Sequence, residues 1–364
     1  MKLLKNLETG KTWQIRQDGK CLYASNNGGK EKETTFASAD ELAKKAEKDI
    51  WAKLKSDFVL IDENAKTGSP VMLRYIKNGG YTGSMPICAD EKSDVFFILV
   101  NNNFETETIF KIAKNGTDKE VKIFPSHGTG MTFFMRYFED RIFMNMNYEI
   151  VSLNLLNSAV QKQSKKGENF AGVLDFFNKR AVWYDEDKLT VFNFATDKKI
   201  FEKAVQPVMY GGHSSQLSAT VCGDWLAFCA QSEKIVLLNI VSGEEKIISK
   251  STNALTEEMY FSADGKILYT LEQYGRWSLA AYDTEKLTQV WEHKDVKSVA
   301  FDRSNTRFAI LKMYNSEIEI YDAQTQKKRL AFNGEYIVKN ADMAFTQNCL
   351  AVYTDYGCLG LYRL

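Results

Sequence analysis

Apolar and polar residues alternate along Lys11–Gln17 (KTWQIRQ) and again along Lys20–Ser25 (KCLYAS), the period of two that a half-buried strand requires. Asp18-Gly19 between them is a hairpin-turn pair. A third strand is expected over Lys32–Ala37, after the turn Asn26-Asn27-Gly28-Gly29. The period then changes. Ser38 and Glu41 have the spacing of a capping box, and Leu42, Ala46, Ile50 and Leu54 recur every four residues. This predicts a helix with one apolar stripe laid on the small sheet. Trp51 lies beside that stripe, where packing is its expected role. Residues 1–61 therefore read as a small α+β domain, and the polar, turn-rich Asp62–Pro70 (DENAKTGSP) as a linker after it.

From there the pattern becomes strand after strand, and it repeats. A strand of the form apolar-x-apolar-polar ends at Lys111, Asn154, Asn193, Asn239, Asp283, Asp322 and Arg363, at intervals of 39 to 46 residues. Seven anchors at that spacing predict a seven-bladed β-propeller over 71–364, each blade a four-stranded sheet with strands A to D running outwards from the axis. In the sixth repeat the strands are expected at Val296–Phe301, Arg307–Lys312, Glu317–Tyr321 and Lys328–Phe332. In the fifth they are expected at Glu258–Phe261, Ile267–Leu271, Ser278–Tyr282 and Thr288–Trp291. The last repeat holds only three, Ala341–Thr346, Cys349–Thr354 and Cys358–Tyr362, so Val71–Ile76 is expected to complete it as the outermost strand.

The repeats resemble degenerate WD repeats. Tyr282-Asp283 and Tyr321-Asp322 stand where that family closes a repeat with Trp-Asp, and these aspartates are expected to stabilise blade turns. His127, His213 and His293 each fall shortly before an expected strand A, where the family keeps a Gly-His pair. The resemblance implies a structural histidine bonded within its blade. The first 60 residues resemble the WGR domain of poly(ADP-ribose) polymerases and of bacterial proteins labelled molybdate-metabolism regulators. That likeness rests on Trp13-Gln14-Ile15, the Gly-rich turn, Thr35–Glu41 and the close Ala52–Phe58. The naming Trp-Gly-Arg is absent near Ala24-Ser25-Asn26.

Charge narrows the partners. The chain has 47 Lys plus Arg against 47 Asp plus Glu, so no overall basic field draws it to nucleic acid or an anionic membrane. Residues 1–60 carry 12 cations and 9 anions, a small excess for a phosphate-binding face. The run Lys44-Lys45, Lys48, Lys53, Lys55 reads as a solvated helix face. No stretch has the apolar length of a membrane span or of a secretion signal. Six cysteines without C-x-x-C spacing read as reduced thiols in a bacterial cytoplasm, with neither disulfides nor a zinc site.

No catalytic, cofactor or metal constellation emerges: nothing pairs a nucleophile with a base, and the Gly-Gly pairs lack the setting of a phosphate cradle. The candidate site is the rim formed by the loops joining strands B and C, which carries Phe104, Tyr148, Tyr274, Arg276, Tyr314 and Tyr356. Tyr and Arg are residue types that dominate binding hot spots. Trp277 starts a strand there and is expected in the core. The expected function is a non-enzymatic scaffold binding a protein or peptide on that rim. The alternatives are a nucleic-acid-associated adaptor acting through the WGR-like domain, and a propeller hydrolase.

Overall fold

The computed structural model describes all residues except 77–84, 103–104, 126–133, 147–148, 164–172, 178–179, 186–187, 194–195, 197, 206–208, 211–212, 215–217, 232–233, 252–254, 274–276 and 338. It begins with strands β1 (Lys2–Asn6), β2 (Thr12–Asp18), β3 (Cys21–Asn26) and β4 (Lys32–Thr35), then helix α1 (Ala39–Leu54). The Ser38 hydroxyl caps α1 by accepting the Glu41 N–H at 3.2 Å. Its buried positions are Leu42, Ala46, Ile50 and Leu54, the stripe set by the four-residue recurrence.

After α1 the chain departs from the sequence reading. Phe58–Ile61 forms β5 and Pro70–Tyr75 forms β6, and the two pair antiparallel with Leu60 opposite Leu73. Residues 62–69, read from composition as part of a linker, are the loop of this hairpin, and the Asp62 N–H is bonded to the Val71 carbonyl at 2.9 Å. On its other side β6 pairs with the final strand Cys358–Arg363, with Leu73 opposite Gly360.

The result corrects the blade count. Six sheets are four-stranded blades, spanning 87–125, 135–162, 173–204, 219–249, 255–294 and 296–333. The strands expected to make a seventh (Ala341–Phe345, Cys349–Thr354, Cys358–Arg363 and β6) are instead one end of a nine-stranded sheet that continues through β5, β1, β2, β3 and β4. Thus β6 is not an outermost strand. A strand in that position would leave a row of backbone donors and acceptors open, and β5 occupies them. Ala341–Phe345 lies between the inner strands Val296–Phe301 and Ile87–Asp90, so this sheet closes the ring.

Within blades the sequence logic is plain. Middle strands are mostly apolar and buried because both faces pack on neighbours, as in Arg307–Lys312, where only the end residues are partly exposed. Outer strands such as Lys328–Asn333 are mostly exposed. Tyr260, Tyr269, Leu279 and Ala281 of the fifth blade share one core with Phe308, Ile310 and Tyr321 of the sixth. Between the fourth and fifth blades a fully buried Lys250 reaches Glu272 at 3.3 Å and donates to the Thr256 hydroxyl at 2.8 Å.

The repeat anchors have a common physical role. Asn154, Asn239, Asp283 and Asp322 each end strand C, and each side-chain oxygen accepts two backbone N–H groups from the turn that follows. For Asp283 the donors are Glu285 (2.9 Å) and Lys286 (2.8 Å); for Asp322 they are Gln324 (3.1 Å) and Thr325 (2.8 Å). This is the local side-chain turn that Asn and Asp favour. It explains why five of the seven anchors are Asn or Asp.

Candidate functional site

Antiparallel blades put the B–C loops and the blade-to-blade connections on one face of the ring, and the A–B and C–D turns on the other. On the B–C face, Phe104, Tyr148, Tyr274 and Arg276 lie outside the described residues. The other two expected rim residues have different surroundings. Tyr314, between strands of the sixth blade, is 80% exposed. Tyr356 is 52% exposed and stacks on Trp51 of α1, ring centroids 5.1 Å apart at 23°. Trp277 is half-buried and carries the Lys297 ammonium 4.2 Å from its ring.

Trp51 is the hub of a contact that the sequence did not reveal. Tyr336 stacks on it at 4.5 Å, Tyr75 meets it edge-on at 5.3 Å, and the Tyr336 hydroxyl donates to the Glu47 carbonyl at 3.3 Å. Leu42, Ile50 and Leu54 of the helix belong to the same apolar core as Leu350, Val352 and Tyr362 of the closing strands. Of the helix lysines, Lys44, Lys45, Lys48 and Lys55 are exposed and Lys53 is half-buried, as a solvated helix face requires. Lys53 lies over Trp13 and Phe58, Lys55 over Trp51, and Lys45 pairs with Asp49.

The channel along the ring axis is also charged, which the repeat pattern gave no means of seeing. Glu257 and Glu258 come from the inner strand of the fifth blade, Asp342 from the closing sheet and Arg136 from the second blade. Burial, reinforced by repulsion from Glu258, pushes Glu257 and Asp342 up to about 7, and burial raises Glu258 against the opposing effect of Arg136 and the Tyr260 hydroxyl. Arg136 reaches the Tyr260 hydroxyl from across the ring at 3.4 Å, and that hydroxyl donates to Glu258. Beyond this bridge a cavity of about 620 Å³ opens towards the A–B turns, its lining including Met135, Phe138, Phe301, Phe345, Glu91 and Arg303.

Of the three histidines, His127 lies outside the described residues, and for His213 only the backbone is described. His293 ends strand D of the fifth blade. Its Nδ1 lies 2.9 Å from the Lys294 carbonyl of its own blade and its Nε2 2.9 Å from Glu319 on strand C of the sixth, so the histidine also joins two blades. Among the described residues no group of three or more His, Cys, Asp or Glu is placed to hold a metal ion. No helix among them is long and apolar enough to cross a membrane, and all six cysteines are free thiols.

No family model matches the chain, and no curated protein does. Solved structures do. A chain of the mitotic checkpoint complex crystal structure superposes with a TM-score of 0.62 at 10% identity, covering 84% of this chain and 97% of that one. The fold is that of a WD40-like β-propeller. BamB from Moraxella catarrhalis (TM-score 0.48, 12% identity, 76% of this chain and 84% of that one) is a further similar structure. Hsv2 from Kluyveromyces lactis (0.47, 11%, 75% and 91%) is another. At such identities the likeness of this propeller to the checkpoint chain is one of fold.

Proposed function

We propose that this propeller is a non-enzymatic protein-interaction scaffold that holds a protein or peptide partner on the rim of its B–C loops. The observation that carries the reading is Tyr314, a large aromatic side chain 80% exposed on the loop between Lys312 and Glu317 of the sixth blade. A tyrosine held in water on a rigid ring of sheets offers apolar area and a hydroxyl at small entropic cost. Loops on rigid scaffolds are where binding residues concentrate. The similar chain of the mitotic checkpoint complex belongs, by that name, to an assembly, which supports a protein partner here too. Tyr356, stacked on Trp51, adds to the rim only the part of its ring left in water.

We further infer that the N-terminal module is WGR-like, supported by its three expected strands, the Ser38 cap and α1. The burial of Leu42, Ala46, Ile50 and Leu54 in the core shared with the closing strands supports a packing role for its helix over DNA binding.

The test is capture of partners from cell extract by the full chain, comparing wild type with a Tyr314→Ala variant. Exposed positions shift stability by less than about 0.5 kcal/mol each, so thermal unfolding should be nearly unchanged. Binding of the captured partner should weaken by about 2 kcal/mol at a hot-spot residue. Equal affinity in the variant overturns the rim reading.

A further inference from the structure

The cavity at the channel mouth lies on the face opposite the B–C rim, and its surroundings specify a ligand. Arg136 and Tyr260, which meet across the ring, are among its lining residues. At about 620 Å³ it has room for a bulky side chain and the backbone flanking it, and no room for a folded domain. Phe138, Phe301 and Phe345, from the second blade, the sixth blade and the closing sheet, give it aromatic walls.

The charges at the mouth are unevenly committed. Asp302 is held by the Thr306 N–H (2.7 Å), the Thr306 hydroxyl (2.7 Å) and Arg307 (3.3 Å). Glu91 accepts the backbone N–H of Arg303, and burial pushes its carboxyl up to about 7. The two cations are placed differently. The Arg303 guanidinium lies 4.9 Å over the Phe138 ring, and among the described residues no carboxylate is within ion-pair distance of it. Lys92 is exposed at the same mouth, again with no such partner among the described residues. Glu139 and Asp140, on the turn after Phe138, do not line the cavity. A guanidinium already held near an aromatic ring can receive a carboxylate through two parallel hydrogen bonds.

We propose that this cavity binds a peptide segment of a partner protein in which an acidic residue adjoins a bulky apolar one. The apolar side chain enters between Phe138, Phe301 and Phe345 while the carboxylate docks on Arg303 and Lys92 at the mouth. The site is separate from the B–C rim, so a partner can engage either face alone.

Three fluorescein-labelled octapeptides of common sequence, with a central Asp-Leu, Lys-Leu or Asp-Ser, test this by anisotropy with the full chain at about 150 mM salt. The Asp-Leu peptide should bind at least about tenfold more tightly than either of the others. Arg303→Glu should invert the preference between Asp-Leu and Lys-Leu, and Phe138→Ala should weaken both. Arg303→Gln, checked by thermal unfolding, should abolish the preference even if the charge reversal does not fold. Tyr314→Ala should change none of these affinities, which separates the cavity from the rim. Equal binding of Asp-Leu and Lys-Leu by wild type, indifference to Arg303→Gln, or no binding of any peptide at millimolar concentration overturns the proposal and leaves the rim reading standing.

Discussion

The joint between the N-terminal module and the propeller contrasts sharply with the channel through the ring. At the joint, apolar and aromatic side chains meet, β5 and β6 share backbone hydrogen bonds, and Trp51 is enclosed by three tyrosines. In the channel, three carboxylates and an arginine are partly withdrawn from water, and two of the acids are pushed up to about 7. The joint is made of interactions that stabilise at any pH. The channel keeps groups that a purely structural interior would replace with apolar ones. Cohesion and chemistry are thus segregated, the first at the edge of the ring and the second on its axis.

Severing the joint should have the largest effect. Deleting residues 1–61 strips β6 of its partner strand and uncovers the core shared by Leu54 and Tyr362, so loss of the cooperative thermal transition is expected. A truncated chain melting like the full one would make the module an appendage. Trp51→Ala tests the same joint more gently, at about 2–3 kcal/mol by denaturant titration, below the cost at a wholly buried site because Trp51 is half-buried.

The channel should respond to pH instead. An acid whose folded pKa is raised binds its proton more readily when folded, so stability falls as pH rises from about 4 to about 7. Wild-type Tm should therefore increase as pH is lowered from 8 to 5.5, and Asp342→Asn should be more stable than wild type at pH 8 with a shallower pH dependence. A variant as pH-sensitive as wild type would remove Asp342 from this account.

The blade turns give the smallest effect and the opposite sign. Asp322 is brought down to about 2 by the Thr325 and Gln324 N–H groups and Arg329, against the opposing effect of burial. Its contribution is present above about pH 4 and disappears as pH falls towards 2. Asp322→Ala should cost about 1 kcal/mol at pH 7 and progressively less as pH falls through about 2.

Much of the ring was legible because a blade is specified locally. Val296–Phe301 and Arg307–Lys312 fall where the alternation put them, and the fifth blade differs only by longer strand ends. The joint was illegible for a definable reason. Phe58-Val59-Leu60-Ile61 is only a four-residue apolar run directly after a helix, so no strand was assigned to it, and the polar 62–70 after it read as a linker. A hairpin with a polar loop has the same composition as a strand followed by a spacer. The channel was hidden because Arg136, Glu258 and Asp342 meet only after the ring closes, and no single repeat contains two of them from different blades. Trp51 was noticed beside its helix stripe, but its tyrosine partners lie near positions 75, 336 and 356.

The pairing of Tyr75 with Cys358 also sets a schedule for synthesis. At about 5–20 residues per second, a ribosome takes roughly a quarter of a minute to a minute to travel from one to the other. Throughout that interval β6 has β5 on one side and nothing of its own chain to cover the other. The six blades are completed in order while this edge waits, and the ring can lock only with the last strand. A nascent chain stalled before Cys358 would expose an adhesive strand to its neighbours on the same polysome, which makes this junction the point where crowding and chaperone supply should govern yield.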